Sequence, residues 1–317
     1  MKRRGLLASS VAALALPTAW AQSVPGLRRV GLLAIGSGQK MLAAPLAELG
    51  VVDGRDIVIE SRSAAGRIEG LPRLAAELVA LKPALIVCVG PHATRAAMAA
   101  DPAVPVVALL GAAVETGLAA QLARPGGRLT GVSFLGTPLN AKRLELLSEL
   151  LPKGRVFMNL GDPATATAAL VDALAAASRD LRVLTHDVVA GTPDEIDAAF
   201  ATASRLRVSG VNVLGSPFLN AHHLRIIDLA AKARLPAIYQ WPSTAHDGGL
   251  MAYGPRLSAM YQLLAGMVLR VLNGSKAGDL PIAQPTRFEL VINLKVARAL
   301  SLSVPQALLL RADEVIE

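Results

Sequence analysis

The sequence is short of aromatic residues: two Trp, three Tyr and five Phe among 317 residues. It is shorter still of cysteine. Cys88 stands alone, which excludes a disulfide scaffold and a metal site built on clustered cysteines. Charged residues make up only 18%, whereas hydrophobic ones reach 53%, carried by Ala, Leu and Val. A disordered chain shows the opposite balance. The five histidines (His92, His186, His222, His223 and His246) have no H-E-x-x-H spacing, so no metal is expected. Gly131-Val132-Ser133-Phe134-Leu135 lacks the second glycine of a nucleophile elbow. Gly36-Ser37-Gly38 stops short of G-x-G-x-x-G, and no cofactor is expected. Nothing assembles a nucleophile, a base and an orienting group. The chain therefore reads as a non-enzyme, with an exported α/β enzyme the weakest of its readings.

What is present begins with an address. Lys2, Arg3 and Arg4 precede an apolar run over 5–17, and Ala19-Trp20-Ala21 follows as a cleavage signal. This is the layout of a secretory signal peptide over 1–21. Arg3-Arg4 with Leu6-Leu7 also fits a twin-arginine export signal. The run is shorter than the ~20 residues that span a bilayer, and no longer one follows, so the mature chain is expected free in the periplasm. Loss of the leader cations lowers the formal net charge from +8 to +5. The remaining basic residues are scattered, which argues against nucleic acid as a partner.

The mature chain alternates short aliphatic runs with helical patterns, the rhythm of an α/β fold with parallel sheets. Strands are expected at 30–35, 57–59, 85–89 and 104–110, then at 156–160, 183–185, 211–214 and 237–239. Leu71, Leu74, Ala75 and Leu78 mark one helix face, and Thr192-Pro193-Asp194-Glu195 reads as a capping box. The starts Val30, Ile57 and Leu85 lie 126 residues before Val156, Val183 and Val211. Two similar Rossmann-like three-layer lobes are therefore expected. The first should span 22–135 plus about 250–290. The second should span 136–249, with 291–317 returning to the hinge or to the second lobe. A helix is expected over 257–272, and a last strand over 288–292.

Several segments resemble one family. They include Gly248-Gly249-Leu250-Met251-Ala252-Tyr253-Gly254-Pro255, the run Gln284-Pro285-Thr286-Arg287-Phe288-Glu289-Leu290, and the ending Leu308-Leu309-Leu310-Arg311-Ala312-Asp313-Glu314. Upstream, Gly54-Arg55-Asp56-Ile57, Ala123-Arg124-Pro125-Gly126-Gly127 and Lys142-Arg143-Leu144-Glu145-Leu146-Leu147 agree. The family is the ABC-transporter substrate-binding proteins of the type that includes tryptophan/tyrosine-type amino-acid binders. The resemblance covers nearly all of the mature chain. It implies a periplasmic binding protein type I fold, hinge closure on a small molecule, and docking on an ABC permease by a monomer. A ligand-sensing protein feeding a membrane sensor is the alternative. The chain departs from the family pattern in its short Gly36–Met41 segment. It also has Gly111-Ala112-Ala113-Val114 where the family commonly has Gly-Asp-Pro-Val.

Ligands of open parallel sheets sit beyond the carboxyl ends of the strands. Those ends supply the candidate contacts. In the first lobe they are Ser37, Gly38, Gln39, Pro91, His92, Ala93, Thr94, Ala112 and Ala113; in the second they are Asp162, Ser216, Pro217 and Phe218. Helix N-termini in the 91–94 turn, and next in 37–39, suit a carboxylate. Phe134, Phe218, Tyr239, Trp241 and Tyr253 are candidates for stacking on an aromatic or cyclic group. Each loop equally reads as a plain strand-to-helix turn, and each aromatic as ordinary packing. The expected ligand is a small organic molecule, an amino acid or other carboxylate.

Overall fold

Aliphatic runs become buried strands, and the segments between them become helices. The computed structural model describes residues 27–36 and 38–317; the leader read over 1–21, and Ser37, lie outside the described residues. The first lobe runs β1 (Arg28–Ala34), α1 (Gln39–Glu48), β2 (Ile57–Ser63), α2 (Leu71–Ala80), β3 (Leu85–Val89), α3 (Pro91–Ala100), β4 (Val106–Leu110) and β5 (Leu129–Ser133). Its strands lie in the order β2-β1-β3-β4-β5, all parallel.

The chain then crosses to the second lobe. There it forms α4 (Gly136–Leu150), β6 (Val156–Gly161), α5 (Ala168–Leu181), β7 (Leu184–Val189), α6 (Pro193–Arg205) and β8 (Gly210–Val213). Next come α7 (Pro217–Ala221), α8 (His223–Lys232), β9 (Ala237–Tyr239), α9 (Pro242–His246) and β10 (Met251–Gly254). The strands follow the order β7-β6-β8-β9-β10, the same path as in the first sheet. This is the architectural counterpart of the repeated strand spacing.

Here the expected lobe boundaries need correction. The sequence pattern places the stretch from about 250 in the first lobe. Met251 and Ala252 instead pair in parallel with Ile238 and Tyr239, making β10 the fifth strand of the second sheet. Only after β10 does the chain return, as α10 (Leu257–Leu272). Met260, Leu264 and Val268 of α10 pack with Leu42, Leu46, Val87 and Val107 of the first lobe. The exchange is reciprocal. Helix α4 follows the fifth strand of the first lobe but buries Leu144, Leu147 and Leu150 against Phe157, Ile238 and Met251 of the second. Sequence periodicity finds each helix face without saying which sheet it covers.

A third crossing runs beside β5, where Ala283 bridges Val132 and Thr130 Oγ1 donates to the Leu280 carbonyl at 3.0 Å. It ends in β11 (Glu289–Asn293), antiparallel to β10, followed by α11 (Leu294–Ala299), α12 (Gln306–Leu309) and β12 (Glu314–Ile316), which pairs with β11. Arg256 and the buried Glu289, on neighbouring crossings, form an ion pair at 2.6 Å. Gly254 is required at the second crossing, because a Cβ there would lie 2.1 Å from the Gln240 carbonyl oxygen.

The cap read at Thr192 forms in part. Thr192 Oγ1 accepts from the Glu195 amide at 3.3 Å, while Glu195 Oε2 accepts from the Gly191 amide at 2.7 Å instead of the Thr192 amide. Thr192→Ala is expected to cost about 1 kcal/mol, read as a lower urea midpoint with unchanged slope.

Candidate ligand cleft

The carboxyl ends of β1, β3 and β4 face those of β6, β8 and β9 across the gap between the lobes, and the two sets touch. His92, in the first turn of α3, places Nε2 3.0 Å from Oδ1 of Asp162, just beyond β6. His222 Nε2 lies 3.1 Å from the Gly66 carbonyl. Phe134 and Trp241 meet edge-on with ring centroids 5.2 Å apart, a geometry aromatic quadrupoles favour. The lobes are thus in closed contact.

Asp162 is fully buried and fully engaged. Its Oδ1 also accepts from the Ala164 amide at 2.8 Å, and Oδ2 accepts from the Ser216 hydroxyl. Ser216 in turn caps α7 through the Phe218 and Leu219 amides. The order is Ser–Asp–His, with the carboxylate in the middle. The imidazole does not reach the hydroxyl as a base would, so this is a latch and not a nucleophilic triad. His92→Ala removes a hydrogen bond to a buried carboxylate, an interaction worth about 1.5–3 kcal/mol. If closure and binding are linked, ligand affinity should fall about tenfold or more, measurable by calorimetry.

Between the lobes lies a cavity of about 90 Å³ lined from both, several times the ~10–15 Å³ that holds one water. Ala34, Val89, Leu109 and Phe134 come from the first lobe, and Pro217, Gln240 and Trp241 from the second. Tyr261 reaches it from α10, and burial pushes its phenol up to about 12. Gln240 is 6% exposed, and its Nε2 has no hydrogen-bond partner. A smaller cavity of about 20 Å³ adjoins through Phe134 and Pro217, and includes Pro91, Ala112 and Asn140.

The predicted contacts divide accordingly. Phe134, Pro217 and Trp241 line the larger cavity; Pro91 and Ala112 line the smaller one. His92, Asp162 and Ser216 form the latch. The others face elsewhere. Ala93, Ala113, Phe218 and Tyr239 belong to the aliphatic core. Thr94 Oγ1 bonds back to the Gly90 carbonyl at 2.8 Å. Gly38 is buried with its Cα hydrogen turned towards the Tyr261 hydroxyl, and Gln39 is exposed. Tyr253 packs on Phe288 with centroids 6.4 Å apart, away from the cavity. Gln240, at the Tyr239-Gln240-Trp241 strand end, lines the larger cavity, as do Tyr261 and Asn220, which are not among the sequence candidates. Tyr261 has no sequence signal, because its position depends on the return of α10.

The expected carboxylate site at 91–94 is altered by its own neighbours. Pro91 has no N–H, the Thr94 amide is used by Gly90, and the His92 ring already holds a carboxylate.

Two α/β lobes that meet over a cavity at the carboxyl ends of their strands define a cleft-binding protein of the periplasmic binding protein type I fold. The chain belongs to the ABC transporter substrate binding protein family, whose model matches residues 31–316. Among curated relatives, a tyrosine-binding protein of Clostridioides difficile is 24% identical over 289 residues, covering 88% of this chain and 82% of that one. Among solved structures, a conserved domain protein of Vibrio cholerae superposes with a TM-score of 0.84 at 21% identity, over 91% of this chain and 99% of that one. A Streptococcus pneumoniae ABC domain in complex with L-Trp gives 0.83 at 20% identity, over 92% and 100%. The family is one of binding proteins, and it implies a small-molecule ligand and an ABC permease partner. Among the described residues no helix is long and apolar enough to cross a membrane.

Proposed function

We propose that this protein is the exported solute-binding component of an ABC importer, working in the periplasm as a monomer and closing its two lobes on one small organic molecule. The observation that carries the reading is the cavity lined by Phe134 from one lobe and Trp241 from the other. The rings of Phe134, Trp241 and Tyr261 offer faces and edges to a cyclic ligand. Export is supported by the leader pattern over 1–21. The tyrosine and L-Trp ligands of relatives make an amino acid one candidate. Against it stands the lining itself, which among the described residues contains no Asp, Glu, Lys, Arg or His.

Once the leader with Trp20 is removed, Trp241 is the one tryptophan left. Its fluorescence then reports on the cleft directly. Titration with a stabilising metabolite is expected to change Trp241 emission with the same midpoint as calorimetric binding. A stabilising metabolite that leaves the emission unchanged would place binding outside the cleft and contradict the reading.

A further inference from the structure

The charge of the cleft is the feature that family membership does not explain. Among the described residues, neither inter-lobe cavity has an ionisable acid or base in its lining apart from the Tyr261 phenol of the larger one. Burial holds that phenol neutral at physiological pH. Three charged residues are buried among the described residues: Arg143, Asp162 and Glu289. Glu289 pairs with Arg256 at the crossings. Asp162 has both oxygens engaged by the latch. Arg143 donates to Asn140 Oδ1 and, at 3.0 Å, to the Tyr253 carbonyl, so it approaches the smaller cavity only through Asn140. A ligand carboxylate or ammonium in the larger cavity would be desolvated with no opposite side-chain charge lining the cavity beside it, an arrangement proteins avoid. What the cavity offers among the described residues is a set of neutral polar groups: the Gln240 and Asn220 side-chain amides and the Tyr261 hydroxyl. Gln240 Nε2 is buried without an acceptor, and such a group gains most from a ligand that supplies one.

Resting on the solute-binding reading, we infer that the cleft takes its ligand uncharged: a compact neutral molecule with a carbonyl-type polar group for the Gln240 side-chain amide and an apolar or aromatic body against Phe134 and Trp241. A primary amide, lactam or cyclic ketone meets this description; a free amino acid does not. The discrimination comes from the site's buried polar group. An analogue without the acceptor leaves Gln240 unpaired, and a charged one adds an unpaired ion.

The test is a thermal-shift screen of the purified protein against small neutral, anionic and zwitterionic metabolites at pH 7.5, including nicotinamide, nicotinate, phenylacetamide, phenylacetate, L-tryptophan and L-tyrosine. Each stabilising compound is then compared by calorimetry with its amide or acid counterpart. The expected result is that the stabilising compounds are neutral and bind at least tenfold tighter than their carboxylate counterparts. Gln240→Leu should weaken them about tenfold while leaving the ligand-free melting temperature within a few degrees. Stabilisation by carboxylates or zwitterions, or binding indifferent to Gln240→Leu, overturns the inference and leaves the solute-binding reading standing. A screen with no stabilising compound overturns both.

Discussion

Gly90→Ala is expected to hold the cleft open and reduce ligand affinity about a hundredfold. Gly90 links β3 to α3 with φ of +87° and ψ of 168°, a region essentially restricted to glycine, where another residue costs about 1–3 kcal/mol. Its Cα also faces the other lobe. A Cβ would stand 2.3 Å from Cγ of Pro217 at the start of α7, far inside contact distance. The two effects separate in a double variant. Gly90→Ala with Pro217→Gly removes the inter-lobe clash but keeps the backbone cost. Affinity should therefore recover while the melting temperature stays low, a non-additivity expected only for residues in contact. Solution scattering should give the single variant a larger radius of gyration with ligand present. An affinity equal to that of the unmodified protein would show that closure does not bring Gly90 onto Pro217.

Arg143→Ala is expected to be strongly destabilising, by about 2–5 kcal/mol, because it empties a fully buried site. Arg143 is fully buried on α4. It ties the Asn140 side chain to the Tyr253 carbonyl of β10, joining the helix that leaves the first lobe to the strand after which the chain returns. Asn140 in turn accepts from the Gly215 amide at 3.0 Å beside the cleft. No carboxylate balances the guanidinium, and burial lowers its pKa from the ordinary value to about 9. This depressed folded-state value lies below the unfolded one. The burial penalty is therefore complete below about pH 9 and eases as pH rises past it. Arg143→Met keeps most of the volume and removes the buried charge, so it should cost much less than the alanine variant. Urea unfolding of the two at neutral pH measures the difference. Equal losses would mean that the side chain's volume is not what matters.

The fold was legible where a local pattern decides the structure. Leu85–Val89, Ala237–Tyr239 and the helix Leu257–Leu272 have the bounds expected from their composition. Strand β5 carries no clear sequence signal, because Thr130, Gly131 and Ser133 dilute its aliphatic pattern. Gly131 is needed there, since a Cβ would lie 1.8 Å from the Ala108 carbonyl oxygen. The place of β10 was not legible, because which strand neighbours which is set by packing at a distance. The cleft shows the same division. Strand ends pointed to Phe134 and Trp241, which line the cavity. Phe218 follows cavity-lining Pro217 by one residue. At about 3.6 residues per helical turn the next side chain points well away, and Phe218 packs instead on His222, with ring centroids 4.8 Å apart. Gln240 shares the strand end of Trp241, and its side-chain amide joins the cavity lining.

If Trp241, Phe134 and Gln240 hold the ligand between the lobes, a crystal structure of the protein with a stabilising compound will show ligand density enclosed by both lobes, in contact with the Trp241 ring and within hydrogen-bond distance of the Gln240 side-chain amide. Density confined to one lobe, such as in the groove of about 420 Å³ lined by Ile227, Leu235, Leu250 and Leu300, would contradict it.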